Sequence, residues 1–147
     1  MLKDLLKEDN LALKINASHW EEAVRIGGRL LVEDGKIEER YIDAMVETVK
    51  ELGPYIVIAP GIAMPHSRPE EGARDIGLAL LSLKRGVPFG NEEYDPVDIV
   101  IILSAIDSSS HVQLLAELME LIEDESFLRL MRSSENKLEV LDYINSK

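Results

Sequence analysis

Two of the chain's three histidines stand where a side chain could do chemistry. His66 ends the run from Tyr55 to His66, Tyr-Ile-Val-Ile-Ala-Pro-Gly-Ile-Ala-Met-Pro-His, and is followed by Ser67 and Arg68. Proline cannot donate to a sheet ladder and pushes the residue before it toward extended conformations, so Pro65 presents His66 on a stiffened segment. His111 follows Asp107-Ser108-Ser109-Ser110, where an amphipathic helix is predicted to begin. A helix N-terminus offers unpaired N–H groups and a partial positive charge, and Ser108, Ser109 and Ser110 add hydroxyl donors, so the position suits an anion. A neutral imidazole is a competent nucleophile near neutral pH. Phosphoryl transfer needs such a nucleophile beside donors that hold the equatorial oxygens. His66 fits the first part, and His111 is placed to donate a hydrogen bond to the phosphoryl group. Each piece has an ordinary counterpart: a loop histidine fills a turn, and Asp-Ser-Ser-Ser is a common helix cap.

The elements that must bring these residues together can be read in outline. Residues 55–59 are β-branched and aromatic enough for a short buried strand, broken by Pro60-Gly61 and continued in extended form by 62–64. Residues 97–106 are the most apolar stretch and predict a central strand. If 55–59 and 97–106 lie close with their ends aligned, His66 faces the serine-rich helix start. Residues 75–83 predict a strand covered on both faces, followed by a loop over 84–96. Ahead of these come a helical turn over 2–8, a strand over 11–15, and a helix opened by Ser18 and Glu21 as a capping box. That helix carries Trp20, Ala23, Val24, Gly27 and Leu31 as its stripe and stops at Gly35. Gly27 and Gly28 point to close packing on a neighbour. His19 reads as a surface residue. A helix over 38–52 buries Ile42, Met45, Val49 and Leu52 and ends at Gly53-Pro54. After Ser110, which pairs with Gln113 as a second capping box, the helix places Val112, Leu115, Met119 and Ile122 on one face, widened by Leu114, Leu118 and Leu121. The final segment predicts two short helices, one capped by Asp124 and one near Ser134, the latter burying Leu138, Leu141 and Ile144. This order predicts an α/β fold, a three-layer α/β/α sandwich in which helices flank a small mixed β-sheet, in a single domain over 1–147.

Composition narrows the partners. The net charge is −12 over 147 residues. This argues against nucleic acid and anionic membranes, which attract basic faces; it is compatible with a basic protein partner and equally with a charge that serves solubility alone. Cysteine is absent, so there is no disulfide framework and no thiolate chemistry. The N-terminus is too charged for a signal peptide, and no apolar run reaches the roughly 20 residues of a membrane span. A cytoplasmic location is expected, without membrane insertion.

The segment Pro60-Gly61-Ile62-Ala63-Met64-Pro65-His66, followed by Ser110-His111-Val112-Gln113 ahead of an apolar helix, resembles the mannitol/fructose class of phosphotransferase-system (PTS) enzyme IIA domains. The resemblance spans nearly the whole chain, including Gly90-Asn91-Glu92-Glu93 and Asp124-Glu125. Gly53 to Pro60 and Arg68-Pro69-Glu70-Glu71-Gly72 are most similar to the branch serving L-ascorbate. The resemblance implies that His66 accepts a phosphoryl group on Nε2 from the phosphocarrier protein HPr. It implies that the group passes to a cysteine of a cognate enzyme IIB, which works with a membrane IIC. His111 would stabilise the phosphoryl group, and Ser67, Arg68, Ser109 and Ser110 are candidate contacts to it. No metal or organic cofactor is implied. The chain departs from mannitol and nitrogen-regulatory members, which tend to carry an Arg-Glu pair where this one has Met45-Val46-Glu47-Thr48-Val49; Arg68 is the candidate substitute. Ser67 stands where many relatives have glycine.

Two other readings stay open at this level. One is a regulatory phospho-switch of the same fold acting through protein binding; the other is a metal-dependent hydrolase using His66, His111 and Asp107, although no histidine-rich helix motif supports a metal. Oligomeric state, including a homodimer, and the carried sugar are likewise open.

Overall fold

A computed structural model describes residues 1–147. The centre is a five-stranded mixed sheet in the order β1-β4-β5-β3-β2, comprising β1 (Leu11–Ile15), β2 (Val57–Ala59), β3 (Ile62–Ala63), β4 (Gly77–Val87) and β5 (Val97–Ser104). β4 and β5 are antiparallel, while β1 runs parallel to β4 and β3 parallel to β5. From Ile99 the buried side chains of β5 alternate, Val100 and Ile102 facing one core and Ile99, Ile101 and Leu103 the other; Val97, beyond a ladder irregularity, joins the first core out of phase. A period of two with both faces apolar makes a strand covered on each side, and β5 occupies the middle of the sheet.

One cover is α2 (Trp20–Glu33) and α3 (Glu39–Leu52); the other comprises α1 (Leu2–Leu5), α4 (Ser108–Ile122), α5 (Glu125–Ser133) and α6 (Lys137–Asn145). The three-layer α/β/α sandwich expected from the element order is therefore the observed one. The glycine pair of α2 has a packing role. A Cβ on Gly27 would lie 2.5 Å from Ile102 Cγ1, and one on Gly28 2.7 Å from Ile42 Cγ1. The sheet and α3 thus approach α2 closer than any side chain would permit. No helix is long and apolar enough to cross a membrane.

Several local expectations are corrected. The strand expected over 55–59 is only β2; Gly53–Ile56 forms a 3₁₀ turn, because Gly53 takes φ 57° and Pro54 fixes the next φ, leaving Tyr55 exposed. The strand beside β5 is β3, with Ile62 opposite Ile99 and Ala63 opposite Val100. β2 lies outside it as the other arm of a hairpin turning at Pro60-Gly61. β4 continues through Lys84 and Arg85 to Val87, so the loop after it is shorter than expected. The cap of α2 is His19, whose Nδ1 accepts from the Glu22 N–H, while Glu22 accepts from the Ser18 N–H. α3 buries Tyr41 and leaves Leu52 exposed; α6 is capped by Asn136, and Leu138 is exposed where Val140 is buried.

Candidate functional site

Parallel neighbours end at the same edge of a sheet, and this brings the two histidines together. β3 leaves the sheet at Ala63 and reaches His66 three residues on; β5 leaves at Ser104 and enters α4, whose first turn carries His111. The ring centroids are 6.1 Å apart, edge to face at 67°. Ligands collect at the carboxyl ends of strands in open α/β sheets, where loops converge.

The His66 ring is fixed by its own chain. Nδ1 lies 2.9 Å from the Met64 carbonyl oxygen. A carbonyl only accepts, so this bond selects the tautomer with hydrogen on Nδ1 and leaves the lone pair on Nε2. The Met64 N–H in turn donates to the Ile56 carbonyl. On the other side, the Ser67 N–H donates to the hydroxyl of Tyr41, a residue of α3 only 1% exposed. That hydroxyl lies 3.1 Å from both the Ser67 and Leu103 carbonyls. Burial pushes the Tyr41 phenol up to about 12, with the Ser67 backbone bond partly opposing the shift. The Thr48 hydroxyl donates to the Ala44 carbonyl and lies 3.4 Å from the Ser67 hydroxyl, which is left to donate to it.

His111 is held differently. Asp107 caps α4: its Oδ1 accepts from the Ser110 N–H at 2.7 Å and from the Ser110 hydroxyl at 2.8 Å. The cap is thus Asp107 and not Ser110, because a cap must precede the first turn whose N–H groups it satisfies. These two bonds, the backbone one first, hold the Asp107 carboxyl below its ordinary value. Burial, and then the positive charge of His66, lower the His111 imidazole below its ordinary range. Of the sequence candidates, Ser67 adjoins the ring-bearing residue and Arg68 is exposed beside it, while Ser109 is exposed in the first turn of α4 and the Ser110 hydroxyl is engaged by Asp107. No group of three His, Cys, Asp or Glu side chains is arranged to hold a metal ion, so His66, His111 and Asp107 form no metal triad.

Both histidines line a recess of about 760 Å³ walled by Asp43, Glu47, Thr48 and Glu51 of α3 and by Ser67 and Arg68. A second recess of about 430 Å³, on the other side of the 67–70 segment, is lined by His111 with Ala105, Ile106 and Val112. Sequence reasoning missed Tyr41 and Thr48. The available signal was a tyrosine in the apolar stripe of α3, since a buried phenol requires a polar partner.

Comparison with known proteins agrees with this architecture. Residues 4–147 match the family described as phosphoenolpyruvate-dependent sugar phosphotransferase system, EIIA 2. The chain is 43% identical over 146 residues to the ascorbate-specific PTS system EIIA component of Salmonella typhimurium, spanning 98% of this chain and 95% of that relative. Its fold superposes on the solution structure of the mannitol-specific cryptic phosphotransferase enzyme IIA of Escherichia coli with a TM-score of 0.88, at 35% identity over 99% of each chain. It also superposes on the complex of the mannitol enzyme IIA with phosphorylated enzyme IIB of Escherichia coli, with a TM-score of 0.79, at 31% identity over 94% of this chain and 97% of that one. The chain belongs to the EIIA 2 family of the phosphoenolpyruvate-dependent sugar phosphotransferase system. As a member it is a phosphotransferase component of that system.

Proposed function

We propose that His66 carries the phosphoryl group, on Nε2, between phospho-HPr and a cognate enzyme IIB serving L-ascorbate. The observation that supports this most directly is the bond from His66 Nδ1 to the Met64 carbonyl, which leaves Nε2 as the nucleophilic nitrogen beside His111. The Nε2 lone pair attacks phosphorus as the P–N bond to the carrier's histidine breaks, and the bonding pair returns to that imidazole. His66 keeps its Nδ1 proton, and the Met64 carbonyl accepts from the resulting imidazolium. In the second step the lone pair of an enzyme IIB thiolate displaces Nε2 from phosphorus, restoring neutral His66. His111 donates to a phosphoryl oxygen in both steps, with Ser67, Arg68 and the first turn of α4 as further contacts; the energy comes from donors placed where charge develops.

The surroundings suit protein partners. Leu52, Ile106 and Val112 are exposed beside the recesses, and apolar contact area at the centre of an interface carries affinity. Asp43 and Glu47 on one wall are paired with Arg25 and Lys50, so the field that would speed encounter with a basic carrier is that of the whole chain, with its net charge of −12. The ascorbate reading rests on the names of the curated relatives, and the cytoplasm is the proposed location. Residues 1–147 are proposed to work as one EIIA unit. The test is transfer of labelled phosphate from phosphoenolpyruvate through enzyme I and HPr, then onward to ascorbate-type or mannitol-type enzyme IIB. Acid-labile label on this chain that moves to the ascorbate-type IIB in preference supports the reading. No label with a competent HPr overturns it, and preference for the mannitol-type IIB overturns the sugar assignment.

A further inference from the structure

The backbone on either side of His66 leaves the sheet with few partners. β3 is two residues long and its ladder to β5 ends at Ala63. Met64 has one further backbone bond, to Ile56, besides the His66 ring on its carbonyl, and Pro65 has no N–H to give. Beyond His66, the bonds of Arg68 to Gly72 are turns within their own segment, apart from contacts with Arg40 and Glu38 of the neighbouring helix region. Between these stretches the Ser67 backbone is held by one side-chain group, the Tyr41 hydroxyl, while the Thr48 hydroxyl reaches only the Ser67 side chain at 3.4 Å.

It accepts from the Ser67 N–H at 3.0 Å, and its one hydrogen is shared between the Ser67 and Leu103 carbonyls. Leu103 lies near the end of β5, the strand that leads to His111. One buried phenol therefore ties α3, the residue after His66 and the strand before His111 to a common point. A chain with Ser67 loose could still fold around its two cores, but its imidazole would be free to turn from the Met64 carbonyl.

We infer that Tyr41 is a positioning residue for the reaction, holding the Ser67 peptide so that His66 presents Nε2 at a fixed place relative to His111. The inference rests on the reading that His66 takes the phosphoryl group. Tyr41 touches neither the phosphoryl group nor the partner; it acts through the backbone of Ser67. Its burial keeps the phenol neutral and a donor across the physiological range. A displacement of about 1 Å at a reacting atom costs on the order of 100-fold in rate, so the effect falls on turnover and leaves recognition of the partner intact.

The test compares the full chain with Tyr41→Phe, which keeps the ring and removes only the hydroxyl. Tyr143→Phe serves as control: that hydroxyl donates to Asp124 in the layer on the opposite side of the sheet from α3. The rate of labelling by phospho-HPr is measured at saturating carrier, with the half-saturating concentration alongside. Nitrogen NMR of the unphosphorylated protein reports the His66 tautomer, and amide exchange of the wild type reports the Ser67 N–H. The expected result for Tyr41→Phe is a maximal rate lower by about 10- to 100-fold, little change in half-saturation, and a His66 ring shifted from the pure Nδ1–H tautomer toward a mixture. Tyr143→Phe should leave both readouts at wild-type values. An unchanged maximal rate and tautomer in a folded Tyr41→Phe protein overturns the inference. Should that variant not fold, a Ser67 amide in the wild type exchanging as fast as a free loop amide overturns it, and strong protection supports it. The tautomer and exchange measurements need no phosphate. A wild type that takes no label on His66 therefore defeats the functional reading separately from the positioning one.

Discussion

The two histidines meet at one edge of the sheet but are held by opposite means. His66 sits on irregular backbone after a two-residue strand, and its placement depends on specific polar bonds: the Met64 carbonyl on the ring and the Tyr41 hydroxyl on the next residue. His111 sits in the first turn of a 15-residue helix capped by Asp107. Its placement comes from regular structure, and no chain group hydrogen-bonds its ring. The difference suits the two roles proposed for them. A nucleophile needs one nitrogen fixed in tautomer and direction. A group that stabilises a transferring anion needs both nitrogens uncommitted, so that one can turn toward whatever oxygens arrive. The lowered proton affinity of His111, caused by burial and then by the charge of His66, fits the proposed role, in which an arriving phosphoryl group would supply the opposing negative charge.

The largest effect should separate the two outright. His66→Ala is expected to abolish acid-labile labelling by phospho-HPr, since no other nucleophile occupies its place. His111→Ala should still be labelled on His66, with a forward rate lower by on the order of 100-fold, as for loss of one oxyanion donor. Labelling of His66→Ala at His111 would reverse the roles and break the comparison.

A smaller effect probes the backbone that feeds the His66 segment. Gly61 has φ 75°, and a Cβ there would lie 2.7 Å from an Arg132 guanidinium nitrogen and 2.9 Å from Asp98 Oδ1. Those two side chains form an ion pair, and Arg132 also donates to the Pro60 carbonyl at the turn. Gly61→Ala should destabilise the fold by about 1–2 kcal/mol in urea denaturation, broadening the His66 ring signals while leaving those of His111 in place. Equal disturbance of both rings would show that the two sites are not held independently.

The smallest expected effect is on pH dependence. His111 binds a proton less readily in the folded chain than in the unfolded one. Between the two values the unfolded state holds more protons, so stability is full above the ordinary imidazole value of 6.5 and declines as pH falls through the lowered folded value. His111→Gln should flatten the loss of stability measured by urea denaturation across that window, modestly because the ring is only partly buried. A slope unchanged from wild type would contradict the assignment of that pH dependence to His111.

Much of this arrangement was legible in the amino-acid order, and the gaps have physical causes. The apolar run of β5 and the proline-stiffened approach to His66 are strong local signals, and they put each histidine just past the end of an extended segment. The pairing partner was not legible. Two residues, Ile62 and Ala63, form the strand beside β5, and so short an element has no periodicity of its own. The stripe of α4 was misphased because apolar residues lie on more than one face of it. Leu114, Leu118 and Leu121 are buried, whereas Val112 and Met119 are exposed. The strand β4 outran its apolar run because Lys84 and Arg85 are exposed in an irregular stretch between Ser82, which lies opposite Ile99, and Val87, where pairing with β5 resumes at Val97. Tyr41 was hidden for a different reason. Its sequence position says only that it is buried, and the partners of its hydroxyl lie 26 and 62 residues away.

The central claim is that the phosphoryl group resides on Nε2 of His66. Combined phosphorus and nitrogen NMR of the protein phosphorylated by phosphoenolpyruvate, enzyme I and HPr tests it most directly. The account predicts one phosphohistidine, with phosphorus coupled to Nε2 of His66 and the Nδ1 proton retained. Phosphorus on Nδ1 of His66, or on His111, would contradict it.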